Sequence, residues 1–210
     1  MFWENNGWIV SLIALVILAL FLIIMCIAKK GVTTKSLAAG AVALAFSYVL
    51  SLIPVPFRLP QGGSVTVFSV LPLIVFCAIF GFKQGVIICV AYGLLDATVN
   101  PYIIHPIQFL LDYPLAYGFI SLAGLFHKKE KLGYLILGAA LGIFGRYICS
   151  TLSGAIFFAE YANLEKYATV LIYSLAYNSY VLVDGIIEIF GLVVVDRTKA
   201  LKQLKRMFLS

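Results

Sequence analysis

Apolar residues run along the chain in long blocks, broken by short polar stretches rich in Pro, Gly or Lys. Seven blocks stand out, at roughly 8–28, 36–53, 67–82, 84–99, 107–126, 132–153 and 168–195. None shows the strict alternation of a half-buried strand, and crossing a bilayer as a helix takes about 20 apolar residues. The pattern therefore predicts an all-α integral membrane protein. The second to fourth blocks are short for a span, and the last is long enough to tilt or protrude. Short blocks beside polar loops point to a cavity rather than a smooth bundle. The first block follows "MFWENNG", which has no basic residue, and no A-x-A-like cleavage site comes after it. It reads as a retained helix and not a signal peptide.

Composition agrees. The chain has 210 residues, 63% hydrophobic and 11% charged, where a soluble domain carries about 25% charged residues. Mean hydropathy is +1.06. Three regions are expected: 1–35 as an extra N-terminal transmembrane helix with its loop, 36–200 as the main membrane domain, and 201–210 as a basic tail.

A net charge of +6 would admit a nucleic-acid partner, but the placement of the charges excludes it. The basic residues cluster beside apolar blocks, in "AKK", "HKKEK" and "DRTKALKQLKR". With the N-terminus outside, 12 of the 15 basic residues fall on the inner side, leaving only Arg58, Arg146 and Lys166 outside. That bias predicts a multi-pass cell-membrane protein with its N-terminus out and C-terminus in. The four cysteines lie within apolar blocks without metal-ligand spacing, and the two histidines are far apart, so neither a metal nor a cofactor is expected.

The outer side is the place to look for a ligand. Its stretches "PVPFRLPQGGSVT", "TVNPYIIHPIQ" and "SGAIFFAEYANLEKY" are rich in Pro, Gly, aromatic and amide residues. Within "HPIQFLLDYPLAYG", Asp112 places a carboxylate in membrane-grade sequence. Three readings remain open for it: a ligand contact, a structural pair with a residue such as Arg146, or a position in water beyond the span. Arg146, Ser150 and Gly154 recur every fourth residue and share one helical stripe, which Phe158 would extend. Tyr173, Tyr177 and Tyr180 share another, with Asn178 as a buried amide that needs partners. Asp184 and Glu188 share a face near the inner end; they read as inter-helix contacts or as a proton relay. Asp96 caps or pairs near the outer surface. Together these residues describe a pocket walled by aromatic rings, with a carboxylate and an amide. Such a pocket suits a flat, nitrogenous cation.

There is no G-x-x-x-x-G-K-[ST], G-x-S-x-G or H-E-x-x-H. The chain reads as a binding protein that is not an enzyme and that draws energy from a partner. A solo proton-coupled carrier for a small nitrogenous cation is the alternative.

Several stretches in order, "LPQGGSVT", "YGLLD", "HPIQFLLDYPLAYG", "GRYICSTLSGAIFF" and "YSLAYNSY", resemble the thiamine-specific substrate-binding subunits (S-components) of energy-coupling-factor (ECF) transporters. The resemblance covers roughly residues 36–200. It implies six core transmembrane helices, to which this chain adds an N-terminal one. It implies binding of thiamine from outside, and a partner module of two ATPase subunits and one transmembrane coupling subunit. The family's acid–aromatic pair for the aminopyrimidine resembles Asp112 and Tyr113, and Tyr102 resembles a nearby pocket tyrosine. Ser150 stands where some members carry His, Gly154 at the pocket glycine, and Phe158 where some carry Trp. Tyr173 and Asn178 match the "YS…YN" contacts. A first-loop Trp of some relatives has no counterpart near Gln61, Gly62 and Gly63. Partner docking in the family uses small residues on the first core helix, for which Ala39 and Ala43 are suitably spaced.

Overall fold

The computed structural model describes residues 32–53, 59, 63–99, 101–129, 131–158 and 167–209. The apolar block 8–28 and several residues weighed above (Cys26, Arg58, Gln61, Gly62 and Lys166) lie outside the described residues.

All regular elements here are helices. α1 spans Thr34–Ser51 and opens on a capping box between Thr33 and Ser36, which satisfies two otherwise orphaned backbone donors. α2 (Leu71–Phe80) and α3 (Phe82–Val99) are separated by Gly81, whose φ of +85° costs little only without a Cβ. α4 (Pro106–Leu110) runs through a π-turn at Leu111–Leu115 into α5 (Ala116–Ile120) and a short 3-10 turn. Pro114 lies inside the π-turn; its missing N–H removes a regular helical bond and favours the wider turn. α6 (Leu132–Phe157) is the longest helix. α7 (Tyr167–Asn178) and α8 (Tyr180–Arg197) are interrupted at Ser179, and α9 (Ala200–Leu209) closes the chain.

Four stretches are long and apolar enough to cross a membrane: α1, α3, α6 and the run Val170–Arg197. α2, at 10 residues, is too short alone, since a residue adds about 1.5 Å. Apolar side chains point away from the bundle along α1, where Phe46 is 61% exposed, and along α8, where Ile186 is 69% exposed. Facing lipid, these are solvated by chemistry like their own.

One half of the bundle is solid. Leu73, Ile74, Cys77, Cys89, Ile120, Ala123, Leu135, Ala139, Ile143 and Leu192 form its buried core. Glycine lets α6 close on its neighbour: a Cβ on Gly138 would stand 2.9 Å from the Ala123 carbonyl oxygen, and one on Gly142 3.0 Å from Ile120 Cα. The basic stretch read as a tail forms α9, which docks through Leu201, Leu204 and Phe208. Phe208 lies 5.6 Å from Phe80.

Ala39 and Ala43 are half-buried on α1, with one side against the protein's own core. Ala41 and Ala45, at the same spacing, are exposed. One sequence expectation shifts. Arg146, assigned to the outer side in the charge count, lies well inside α6 with its side chain 13% exposed.

Candidate ligand-binding site

The other half of the bundle is hollow. A cavity of about 410 Å³ opens among α3, α4–α5, α6, α7–α8 and residues 63–69, within the range of about 300–1,000 Å³ typical of small-molecule sites. All nine residues singled out as ligand contacts line it: Tyr102, Asp112, Tyr113, Arg146, Ser150, Gly154, Phe158, Tyr173 and Asn178.

Asp112 and Tyr113 sit on the π-turn, and α3 backs that turn closely. A Cβ on Gly93 would lie 2.5 Å from the Tyr113 carbonyl oxygen, so a larger residue there would push the turn away. Asp112 Oδ2 accepts from Gln108 Nε2 at 2.6 Å and from Ser153 Oγ at 2.7 Å. Its Oδ1 takes no hydrogen bond from the described residues. Gln108, 2% exposed, also donates to the Tyr102 carbonyl at 3.0 Å and accepts from Ile104 N–H at 3.2 Å. Tyr113 Oη accepts from Tyr102 N–H at 3.0 Å. One amide and one phenol thus pin the irregular loop 101–104 beside the carboxylate. Nearby, His105 caps α4 by accepting from Ile107 N–H at 3.1 Å, and its ring stacks on Phe157.

Aromatic rings make the walls. Tyr102 stacks on Phe158 at 5.7 Å, Tyr173 on Tyr177 at 6.3 Å, and Tyr177 meets Tyr180 edge-on at 6.1 Å. Between these walls α6 meets α7. Ser174 Oγ donates to the Thr151 carbonyl at 2.7 Å, and Asn178 Nδ2 donates to the Ser174 carbonyl at 2.9 Å and to Ser174 Oγ at 3.2 Å. Gly154 makes room: any Cβ there would collide with Ser174 Oγ. Asn178 itself is among the lining residues.

Arg146 closes the far end. Its Nη1 donates to Asp184 Oδ2 at 3.2 Å, its Nη2 to Tyr117 Oη at 3.3 Å, and the guanidinium lies 4.6 Å from the Tyr117 ring centre. Tyr117 Oη donates in turn to Asp96 at 2.9 Å. The Asp112–Arg146 pair weighed from the sequence is therefore not formed; Asp184 holds the arginine and Asp112 is held by neutral donors. Asp184 and Glu188 do not lie remote from the site. Asp184 Oδ1 accepts from Thr66 N–H at 2.9 Å and Thr66 Oγ1 at 3.0 Å, and Glu188 Oε1 accepts from Val70 N–H at 2.9 Å.

Sequence reasoning passed over Gln108, Ser153 and Thr66. Gln108 had a signal, because an amide four residues before a helical carboxylate shares its face. Ser153 and Thr66 had none, since they meet their carboxylates across 41 and 118 residues of chain.

A multi-helix membrane bundle, solid in one half and hollowed in the other by a polar, aromatic cavity, is a membrane-embedded small-molecule binding protein. The chain belongs to the thiamine transporter protein family, whose profile matches residues 37–204; this is a family of transporters, not of enzymes. It is 32% identical over 160 residues to the thiamine transporter ThiT of Bacillus subtilis, covering 70% of this chain and 82% of that one. It is 31% identical over 109 residues to the thiamine transporter ThiT of Lacticaseibacillus paracasei, covering 47% and 51%. A solved structure of ThiT from Listeria monocytogenes has the same fold, with a TM-score of 0.62 at 24% identity, covering 77% of this chain and 95% of the other.

Proposed function

We propose that the protein captures thiamine in this cavity and delivers it across the membrane as the substrate-specific subunit of an ATP-driven ECF transporter. The observation that carries the reading is Asp112. Its Oδ2 is saturated by Gln108 and Ser153 while Oδ1 is left for a ligand, within a cavity walled by aromatic rings. Thiamine matches both features: an aminopyrimidine with N–H donors for a carboxylate, and a cationic ring for aromatic faces. Tyr113, Phe158 and Tyr173 supply faces for the two rings, Tyr102 and Gly154 shape the walls, and Ser150, Asn178 and Arg146 offer polar contacts.

On this reading the cavity opens outward, the N-terminus is outside and the C-terminus inside. Residues 36–200 form six core transmembrane helices, 1–35 add a seventh, and 201–210 continue as the basic cytoplasmic end. With Arg146 inside the bundle, only Arg58 and Lys166 remain as outer basic residues, which sharpens the charge bias. The chain carries no ATPase motif, so the energy comes from a module of two ATPase subunits and a transmembrane coupling subunit. That module docks on α1, where the half-buried Ala39 and Ala43, with exposed Ala41 and Ala45 beside them, permit close approach.

Titration of thiamine into the purified chain, followed by Trp and Tyr fluorescence, tests the reading. Saturable tight quenching is expected; a well-folded chain that does not respond overturns it. Proteoliposomes then test the energetics. Accumulation is expected only when the chain is reconstituted with its module and ATP, and ATP-independent accumulation by the chain alone would mean a secondary carrier.

A further inference from the structure

One face of α8 reads Tyr180, Asp184, Glu188, Gly191, at steps of four, four and three residues. Residues 63–70 lie along this face in order. Gly63 sits against Tyr180, where a Cβ would come within 2.9 Å of the ring, and Gly63 N–H donates to Tyr177 Oη at 3.3 Å. Thr66 follows on Asp184 and Val70 on Glu188. Such a non-helical stretch cannot satisfy its own backbone donors, and buried donors must find acceptors elsewhere. Here two carboxylates from another helix supply them. Between the two anchors Phe68 adopts φ +61°, a left-handed conformation that a residue with a Cβ holds only when its surroundings impose it. The imposition is visible: the Phe68 ring lies where a Cβ on Gly191 would stand, 2.7 Å away.

We propose that Asp184 and Glu188 are positioning residues for ligand binding, clamping residues 63–70 along α8 so that this segment forms a fixed wall of the cavity. The segment contributes Gly63, Ser64, Val65, Thr66 and Ser69 to the lining. Asp184 works on two walls at once, because its Oδ1 holds Thr66 while its Oδ2 holds Arg146. Glu188 uses Oε1 alone; its Oε2 is buried without a hydrogen-bond partner among the described residues. A clamp needs one good acceptor, and Oε1 is that acceptor for the Val70 N–H. The proposal rests on the thiamine reading for its effect on binding, but the clamp itself is measurable without ligand.

The experiment uses the full chain in detergent, comparing wild type with Glu188→Ala, Glu188→Gln and Thr66→Val. Hydrogen exchange of the ligand-free protein reads the backbone of residues 63–70, and stopped-flow fluorescence reads thiamine release. Glu188→Ala should raise exchange within 63–70 selectively and speed release about tenfold, the scale of leaving one buried N–H without its acceptor. Glu188→Gln keeps the acceptor and should restore both readouts to near wild type, a rescue that a nonspecific packing defect would not show. Thr66→Val, which removes the hydroxyl bonds to Asp184 and to Ser69 Oγ but keeps the Thr66 N–H bond to Asp184, should speed release by a smaller factor and remains informative if Glu188→Ala does not fold. Glu188→Gln behaving like Glu188→Ala, or release unchanged in both Glu188→Ala and Thr66→Val, overturns the proposal. If wild type fails to bind thiamine while Glu188→Ala still loosens residues 63–70, the ligand reading falls and the clamp stands.

Discussion

α6 passes through both halves of the bundle and shows how differently one helix can be used. From Leu135 to Ile143 it is solid: Leu135, Ala139 and Ile143 are buried, and Gly138 and Gly142 let its backbone close on residues 120–123. From Arg146 to Phe158 it is hollow: Arg146, Ser150, Gly154 and Phe158 all face the cavity. Glycine appears in each half for a different purpose. In the first it admits a neighbouring backbone, and in the second Gly154 admits the polar side chains of Ser174 and Asn178. In lipid, helices gain little by hiding apolar surface from one another, so close packing of small residues supplies the cohesion. The solid half supplies that cohesion, and the hollow half can then forgo packing and keep polar groups aimed at an empty space.

Substitutions should divide along the same line. The largest effect is expected from Leu135→Ala, which should cost about 2–5 kcal/mol of stability, the range for a buried leucine. It should appear as a lower Tm with an unchanged thiamine Kd, and a Kd that moved with Tm would erase the division. Asp112→Asn should do the reverse. It keeps an acceptor for Gln108 and Ser153 but removes the charge facing the ligand, weakening thiamine by about 1.5–3 kcal/mol with little change in Tm. Equal affinity by calorimetry would remove Asp112 from the site. Phe158→Leu should weaken binding by about 0.5–1.5 kcal/mol, the aromatic contribution beyond simple burial, and the loss should shrink for a ligand lacking the cationic ring. The smallest effect belongs to Ile186→Val on the lipid-facing side of α8, expected within about 0.5 kcal/mol in both measurements. A larger shift would show that this face is covered by something other than lipid.

Much of this arrangement was legible in the chain, for local reasons. Helix spacing is regular, so Arg146, Ser150 and Gly154 had to share a face once α6 was recognised. Asp112 stood out because a carboxylate in apolar sequence needs a compensating partner. Of the partners only Gln108 was legible, four residues before Asp112 on the same face. Ser153 on Asp112 and Asp184 on Arg146 depend on which helices become neighbours, and several groups could have served.

What the sequence determined by itself was one-dimensional: apolar blocks of membrane-helix character, breaks at residue 83 and between 99 and 107, a bias of positive charge, and polar residues too costly to bury without purpose. Each follows from short-range geometry or from the transfer energy of single residues, neither of which requires knowing the neighbours. The tertiary structure alone decided which polar groups pair, which stripe of α1 looks outward, where packing stops and the cavity begins, and that residues 63–70 lie on Asp184 and Glu188 over a hundred residues away. Those are contacts between distant parts of the chain, set by the mutual fit of whole helices, and no local rule contains them.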